Sequence, residues 1–162
     1  MFETERCFIK PFRSSDLLDV KKIFLNPEVR EFLGGIRQEN SLQMLLGEML
    51  NSSDHSFYWV IREKNTDTFI GLVSLEPHHD GINLEISYQL LPNWWGKGYA
   101  TEVVQTIINY SFNKLNLPKV LAETQTANKT SCMLLERIGM ELERTIIRFG
   151  AEQGIYSIKN TK

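Results

Sequence analysis

The spacing of hydrophobic residues changes several times along the chain, and each change marks a predicted element. Alternating apolar and polar positions predict strands, whereas apolar residues three or four positions apart predict helices. Strands are predicted at residues 5–12, 56–63, 69–77, 82–91, 119–126, 140–149 and 154–160. Helices are predicted at residues 17–25, about 41–51, 99–115 and 128–139, and segment 26–40 predicts a short helix and then a break at Gly34 and Gly35. This order predicts a mixed α+β sheet with helices on its faces, in one domain over residues 1–162.

The predicted strand at residues 82–91 has two different faces. Its apolar face carries Leu84, Ile86, Tyr88 and Leu90, and its polar face carries Glu85, Ser87 and Gln89. A central strand that is covered on both sides is normally apolar throughout, so a polar row suggests a water-filled cleft. The alternative is a solvated face, which antiparallel sheets commonly allow.

A glycine-rich segment, NWWGKGYATE at residues 93–102, directly precedes the long helix. The first amides of a helix have no partner within the helix and the helix dipole is positive there, so an anion is favoured at this end. Gly96 and Gly98 would let the backbone approach a phosphate closely, and Lys97 would add a positive charge. The segment lacks the spacing of a P-loop or of a dinucleotide-binding fingerprint. A glycine-rich turn without a ligand is the alternative.

Composition narrows the classes of function. The chain has 162 residues, is 42% hydrophobic and carries a formal charge of −2, so it is expected to be globular and not to bind nucleic acid. It has no apolar run of about 18 residues and no signal-peptide order at its start, so we expect a cytoplasmic protein without membrane partners. Cys7 and Cys132 are far apart and are expected to be reduced thiols.

The segment LLPNWWGKGYATE resembles the acetyl-CoA pyrophosphate loop of the GNAT superfamily of N-acyltransferases, whose motif is [Q/R]-x-x-G-x-[G/A]. In this chain the motif reads Trp95-Gly96-Lys97-Gly98-Tyr99-Ala100, and Trp95 replaces the usual first residue, a variant that resembles the ribosomal-protein N-acetyltransferase branch. Four further segments resemble that branch in the same order: TERCFIKPF, NPEVREFLG, NLEISYQLLP and NKTSCMLLERIGM. The resemblance implies a mixed, mostly antiparallel sheet of about seven strands in an α/β/α sandwich. It also implies acetyl-CoA as the co-substrate.

The resemblance also implies which residues hold acetyl-CoA. The main chain of Gln89, Leu90 and Leu91 would bind the pantetheine arm, and an amide near Leu90 would stabilise negative charge on the thioester oxygen. Asn128, a helix N-cap by type, would also bond the arm. The pyrophosphate would be bound by the loop residues Trp95, Gly96, Lys97, Gly98, Tyr99, Ala100 and Thr101.

Two residues are candidates for proton transfer. Glu85, on the polar row, is the candidate base, and its alternative is a solvated or salt-bridged glutamate. Ser131 lies on the apolar stripe of the 128–139 helix and is the candidate acid for the leaving thiolate, unless it is only a packing residue. Many family members have a tyrosine where this chain has Leu135. Replacing Glu85 by glutamine is predicted to lower turnover most at acidic pH, where the amine is hardest to deprotonate.

Other reactive side chains are given non-catalytic roles. Cys132 is predicted to be a small buried residue, because no base partner for it is evident. His78, His79 and Asp80 are predicted to form a turn, with no metal site, because adjacent residues rarely converge on one ion. Trp94 and Trp95 are predicted to pack under the loop.

The resulting hypothesis is an N-acetyltransferase that moves an acetyl group directly to a primary amine. The acceptor would be a protein N-terminal amine, a lysine or a small amine. It would bind near the early helices and the Gly34–Gly35 segment. The protein would be a monomer or a homodimer. A catalytically silent acyl-CoA-binding sensor or interaction module is the alternative. A nucleotide-binding regulator is a third class.

Overall fold

The computed structural model describes residues 1–53 and 55–161. Its strands form one sheet of eight, in the order β1-β2-β3-β4-β5-β6-β8-β7. The strands are β1 Phe2–Glu3, β2 Cys7–Pro11, β3 Phe57–Glu63, β4 Phe69–Pro77, β5 Leu84–Leu90, β6 Lys119–Gln125, β7 Glu141–Arg148 and β8 Ala151–Lys159. Every neighbouring pair is antiparallel except β5 and β6, which are parallel. The predicted mixed, mostly antiparallel sheet is therefore confirmed, with one short edge strand more than expected.

Within the described residues, four α-helices cover the two faces of the sheet: α1 Leu17–Phe24, α2 Glu39–Leu50, α3 Tyr99–Asn113 and α4 Lys129–Arg137. Apolar residues of α3 and α4 pack with one face of the central strands, in a core that contains Val104, Leu135 and Ile86. The helices α1 and α2 pack on the other face, around Leu42 and Leu72. The fold is thus an α/β/α sandwich with a separate hydrophobic core on each side of the sheet.

The strands β5 and β6 diverge, and this divergence is the feature that shapes the site. Their pairing consists of Leu84 with Val120 and Glu85 with Leu121. Beyond these pairs β6 continues beside β8 as far as Gln125, and β5 continues beside β4 as far as Leu90. Among the described residues, the β6-side edge of β5 after Glu85 therefore has no strand neighbour. We call the space along that edge the β5–β6 opening.

The prediction of a short helix in segment 26–40 was wrong. Residues 27–34 form turns, and α2 begins only at Glu39. The Asn26 side chain accepts hydrogen bonds from the amides of Glu28 and Val29, which closes a turn instead of a helix. The Arg30 side chain then binds the carbonyls of Leu33 and Gly35, so the chain folds back on this arginine.

The strand β4 approaches β5 unusually closely at Gly71, which pairs with Leu90. A Cβ at position 71 would lie 2.2 Å from the Gln89 carbonyl oxygen and 2.9 Å from the Leu90 Cα. Both contacts are with backbone atoms, which have no rotamer to relieve the overlap. Gly71→Ala is therefore expected to lower the free energy of unfolding by about 2–3 kcal/mol, measured by urea denaturation.

The matched control is Gly47→Ala in α2, where an added Cβ meets nothing within 4 Å. Because alanine is the better helix former, this variant is expected to gain roughly 0.5–1 kcal/mol. Equal effects of the two substitutions would show that the close approach at Gly71 has no energetic weight.

Candidate active site

The glycine-rich segment forms a loop with unpaired amides at the start of α3. A 3₁₀ turn at Pro92–Trp94 leads into it, and the amide of Trp95 donates to the Pro92 carbonyl. The first amide bonded within the helix is that of Glu102, which donates to Gly98. Within residues 1–53 and 55–161, no group accepts a hydrogen bond from the amides of residues 96–101. The run of free amides thus begins at Gly96 and not at Trp95, and it lies at the positive end of the α3 dipole.

Both loop glycines adopt positive φ angles, 70° at Gly96 and 84° at Gly98. This left-handed conformation is costly for residues with a Cβ and easy for glycine. A Cβ at Gly96 would point into open space, whereas a Cβ at Gly98 would lie 3.3 Å from the Arg6 Nη2 atom. The two glycines therefore serve the same backbone turn but face different surroundings.

Arg6 supports the loop from the segment just before β2, a role that the sequence did not indicate. Its Nη1 donates to the Lys97 carbonyl at 2.9 Å, and its Nε pairs with Glu102 at 3.1 Å. The guanidinium also lies 3.9 Å from the centre of the Tyr99 ring. Glu102 is held in turn by the hydroxyl of Thr4. Because Arg6 lies 91 residues before Lys97, no local sequence pattern could reveal this contact.

The two tryptophans of the loop behave differently. Trp94 packs edge-on against Tyr99 beside the core, as predicted. Trp95 is 46% exposed, so the prediction that it packs under the loop was wrong. Its indole Nε1 donates to the Leu90 carbonyl at 2.8 Å and ties the loop to the end of β5. The side-chain ammonium group of Lys97 donates to the Asn93 carbonyl.

The amides at the end of β5 point in alternating directions. The amide of Leu91 donates to the Ile70 carbonyl of β4 at 2.9 Å, so it is already used. The backbone groups of alternate residues in an antiparallel strand face opposite edges of the strand. The Gln89 amide therefore also faces β4, and the Leu90 amide faces the β5–β6 opening. Of the three residues predicted to hold the pantetheine arm by main-chain groups, Leu90 alone presents its amide to the opening.

Glu85 lies at the last paired position before the opening, among other carboxylates. Glu76 is its direct cross-strand partner, and Glu123 lies two residues beyond Leu121 on β6. Burial raises the pKa of Glu85 to about 7, and the negative charges of Glu123 and Glu76 add to the shift. Neither Glu76 nor Glu85 forms an ion pair within the described part of the chain. A carboxyl that titrates near neutrality is suited to accept a proton from an amine.

The two adjacent histidines converge on Glu123 instead of forming only a turn. Nε2 of His78 and Nε2 of His79 lie 2.9 and 2.7 Å from the same carboxylate oxygen. The other oxygen accepts from Arg148 at 3.0 Å. The ligand-type atoms of the three residues lie within 4.8 Å of one another, so the assumption that adjacent histidines would not converge was wrong. The Asp80 amide donates to Nδ1 of His78, which favours the tautomer with Nε2 protonated toward Glu123. That no metal binds here stays a prediction.

Ser131 lies on the first turn of α4 and is hydrogen-bonded to a tyrosine that the sequence did not single out. The Tyr88 hydroxyl is 2.8 Å from Ser131 Oγ. Asn128 is the N-cap of the helix, and its side chain accepts from the Ser131 amide at 3.3 Å. Leu135 and Cys132 are buried, and the Cys132 thiol is reduced, as is that of Cys7.

Arg30 connects the Gly34–Gly35 segment to the polar row of β5. It is only 7% exposed, and its Nη1 donates to the Gln89 side chain at 2.9 Å. Its two other bonds go to the carbonyls of Leu33 and Gly35. The segment predicted to contact the acceptor therefore lies against the polar face of β5, on the same side of the sheet as α1 and α2.

Comparison with known proteins identifies the family. Residues 6–141 match the family described as an acetyltransferase (GNAT) domain. The chain belongs to the GNAT acetyltransferase family. The Bacillus subtilis protein named uncharacterized N-acetyltransferase YoaA is 25% identical over 172 residues, covering 98% of this chain and 96% of that protein. The resemblance to the GNAT superfamily is thus confirmed, and the protein is an acetyltransferase.

Solved GNAT structures share the fold at low sequence identity. Spermidine N-acetyltransferase from Vibrio cholerae, in complex with CoA and spermine, superimposes with a TM-score of 0.84 at 19% identity, covering 96% of both chains. Ribosomal-protein-S5-alanine acetyltransferase from Vibrio fischeri gives 0.81 at 20% identity, covering 99% of this chain and 97% of that one. None of the helices in the described ranges is both long and apolar enough to cross a membrane.

The GNAT loop of this chain fits the diphosphate of coenzyme A. Six consecutive amides, from residue 96 to residue 101, lack acceptors among the described residues and lie at a positive helix end. Open space borders Gly96 where a side chain would otherwise stand. The Leu90 amide faces an opening bounded by β5 and β6. These features suit an extended ligand with a diphosphate at one end and a carbonyl oxygen at the other.

Proposed function

We propose that this GNAT protein transfers an acetyl group directly from acetyl-CoA to a primary amine, with Glu85 as the base. The observation that carries the proposal is a carboxyl with a pKa of about 7 at the last paired position before the β5–β6 opening. Acetyl-CoA would supply the activated acyl group. The residues of this chain would bind it, orient the amine and accept the proton that the amine loses.

Binding of acetyl-CoA would use two parts of the chain. The amides of residues 96–101 would hold the diphosphate, with the Lys97 and Arg6 side chains adding positive charge nearby. The Leu90 amide would donate to the thioester oxygen and stabilise the negative charge that develops there. Trp95 would keep that amide in place through its bond to the Leu90 carbonyl.

The amine must be neutral to attack, although an α-amine has a pKa of about 8 and a lysine amine about 10.4. Ionised Glu85 would take the proton, directly or through a water molecule. The proximity of Glu76 favours a positively charged acceptor, because two opposed glutamates without an ion pair repel each other until a cation lies between them. The amine would therefore arrive as an ammonium ion and lose its proton in place.

The acceptor would approach on the α1 and α2 side, where Glu85 and Gln89 lie and where Arg30 holds the Gly34–Gly35 segment. Candidate acceptors are a protein N-terminal amine, a lysine side chain and a small amine. Two solved relatives by fold, one named for spermidine and one for a ribosomal-protein alanine, represent two of these groups.

Release of free thiol from acetyl-CoA, followed with an amine panel, tests the proposal. The panel would contain peptides with free N-termini, N-acetylated peptides with lysine, polyamines and aminoglycosides. At least one amine is expected to raise thiol release by about 100-fold or more over the rate without amine, a threshold far below the roughly million-fold and larger accelerations that enzymes reach. Coenzyme A affinity without amine-dependent release would instead establish the acyl-CoA sensor.

A further inference from the structure

Residues 4–6, which join β1 to β2, bind the first turn of α3 through one carboxylate. The hydroxyl of Thr4 and the backbone amide of Arg6 donate to one oxygen of Glu102, and Arg6 Nε donates to the other oxygen at 3.1 Å. Burial would raise the pKa of Glu102, but these hydrogen bonds hold that pKa below its ordinary value. Glu102 is therefore ionised, and its negative charge lies one turn from the loop of free amides.

A negative charge at this place has two opposite effects. It favours α3, because the helix dipole is positive at this end. It disfavours a diphosphate at the amides of residues 96–101, because like charges repel each other. The ion pair of Arg6 with Glu102 cancels the charge of the carboxylate. Arg6 therefore preserves the attraction of the loop for an anion.

Arg6 also keeps a donor group that the fold does not use. Nη1 donates to the Lys97 carbonyl at 2.9 Å, and the guanidinium lies 3.9 Å from the centre of the Tyr99 ring. Nη2 lies 3.3 Å from the place of a Cβ on Gly98, and no group among the described residues accepts a hydrogen bond from it. Because the guanidinium is a rigid fork, the bonds of Nε and Nη1 fix the direction of Nη2.

The nitrogen donors in the loop's own side chains are directed elsewhere. The indole Nε1 of Trp95 donates to the Leu90 carbonyl, and the ammonium group of Lys97 donates to the Asn93 carbonyl. Both bonds tie the loop to the end of β5 and to the turn that follows it. Nη2 of Arg6, by contrast, keeps its hydrogens for a ligand.

We infer that Arg6 is a binding residue for the diphosphate of coenzyme A, contributed by the segment between β1 and β2. Nη2 donates to a diphosphate oxygen at the amides of residues 96–101, while Nε keeps the charge of Glu102 neutralised. The inference rests on the proposed function, since it requires coenzyme A at the loop. Arg6 contacts the ligand, and Glu102 is a positioning residue that holds the guanidinium.

Removal of Arg6, alone and together with Glu102, tests the inference. Arg6→Gln is expected to raise the Kd for coenzyme A about 50-fold, measured by calorimetry, because it removes a charged hydrogen bond and leaves Glu102 unpaired. The double variant Arg6→Gln/Glu102→Gln is expected to bind about fivefold more tightly than Arg6→Gln, because the unpaired charge is gone. A purely structural role predicts the reverse, since the second substitution removes further contacts. A double variant that binds no more tightly than Arg6→Gln would overturn the inference.

Shortened ligands show which part of coenzyme A Arg6 contacts. The compound 3′-dephospho-coenzyme A retains the diphosphate, and pantetheine lacks it. Arg6→Gln is expected to weaken the binding of coenzyme A and of its dephospho form by the same factor. The weak binding of pantetheine, followed by ligand-observed NMR, should change by less than about twofold. A loss confined to coenzyme A would place Arg6 at the 3′-phosphate, and an equal loss for pantetheine would indicate damage to the site. Either result would overturn the inference.

Two further variants separate the direct contact from folding and net charge. Arg6→Lys keeps a cation beside Glu102 but has no Nη2, so the Kd is expected to rise about fivefold. Unaltered affinity in Arg6→Lys would refute the direct contact, even if Arg6→Gln does not fold. Lys10→Gln removes a cation of β2 that pairs with Asp67, and it is expected to leave the Kd within about twofold. If Lys10→Gln weakens binding as much as Arg6→Gln does, the effect belongs to net charge and the inference is wrong.

The two proposals fail in different ways. If coenzyme A binds but no amine raises thiol release, the proposed function is wrong, and the Kd values of the Arg6 variants still decide on the contact. If thiol release is normal and Arg6→Gln binds coenzyme A as tightly as the unaltered protein, only the inference about Arg6 is wrong. If coenzyme A does not bind, both proposals are wrong.

Discussion

Replacing Glu85 by glutamine is expected to lower kcat about 100-fold at pH values above 8, the lower end of the range for a lost general base. In the unaltered protein, kcat should rise with pH through about 7, because only ionised Glu85 accepts a proton. The glutamine variant should lose this rise. Its deficit is therefore expected to be small in acid and large in base. The sequence alone suggested the opposite, and the pKa of about 7 reverses that expectation.

Glu76→Gln is the matched control, since it removes a carboxylate from the position directly opposite on β4. This variant should keep the rise of kcat with pH but shift it toward lower pH, because one of the negative charges that raise the pKa of Glu85 is gone. A pH profile that is the same in Glu85→Gln and the unaltered protein would remove Glu85 from the mechanism.

Glu85→Gln should also stabilise the fold. The ordinary pKa of a glutamate is 4.5, and that of Glu85 is raised to about 7, so the folded state binds more protons than the unfolded state between these values. Stability is thus lost as the pH rises from about 4.5 to about 7. Glu85→Gln removes this loss and is expected to raise the free energy of unfolding by about 1–3 kcal/mol at pH 8, with little change at pH 4. Lower stability at pH 8 would contradict a destabilising charge.

Gly98→Val is expected to raise the Kd for coenzyme A at least 100-fold, measured by calorimetry. Valine strongly disfavours the φ of 84° at this position, and its Cβ would lie against the Arg6 side chain that holds the Lys97 carbonyl. Relief of either strain would change the directions of the unpaired amides of residues 96–101. Binding of the diphosphate depends on several of these amides at once, so the loss should be large.

Gly150→Val is the control for strain alone. Gly150 has a φ of 75° in the turn between β7 and β8, and a Cβ there meets nothing within 4 Å. This variant should lose stability but retain coenzyme A affinity. If Gly98→Val binds coenzyme A as tightly as Gly150→Val does, the diphosphate is not held by this loop.

Local features of the chain were predictable from the sequence. The strand at β5 was recognised with its polar and apolar faces, because side-chain direction alternates with every residue. The start of α3 was recognised from its glycines and from the hydrophobic period that follows, and both depend on neighbouring residues only. The helix expected in segment 26–40 did not form. The Asn26 side chain closes a turn there, and Arg30 is held both by the carbonyl of Gly35 and by the Gln89 side chain on β5, a contact that no local pattern reveals.

The contacts that give the site its properties were not predictable. Glu85 could be placed on a polar row, but its pKa depends first on its burial in the folded protein and then on Glu123 and Glu76, which belong to two other strands. Tyr88 was assigned to the apolar face, and its hydroxyl partner on α4 is 43 residues away.

The sequence by itself determined the order of elements, the glycine loop and the family, because each follows from residues close together in the chain. Only the tertiary structure decided where β5 and β6 separate, which amides stay unpaired and which charges surround Glu85. These depend on distances between segments far apart in sequence. Electrostatic and hydrogen-bond energies follow such distances, whereas periodicity carries no information about them.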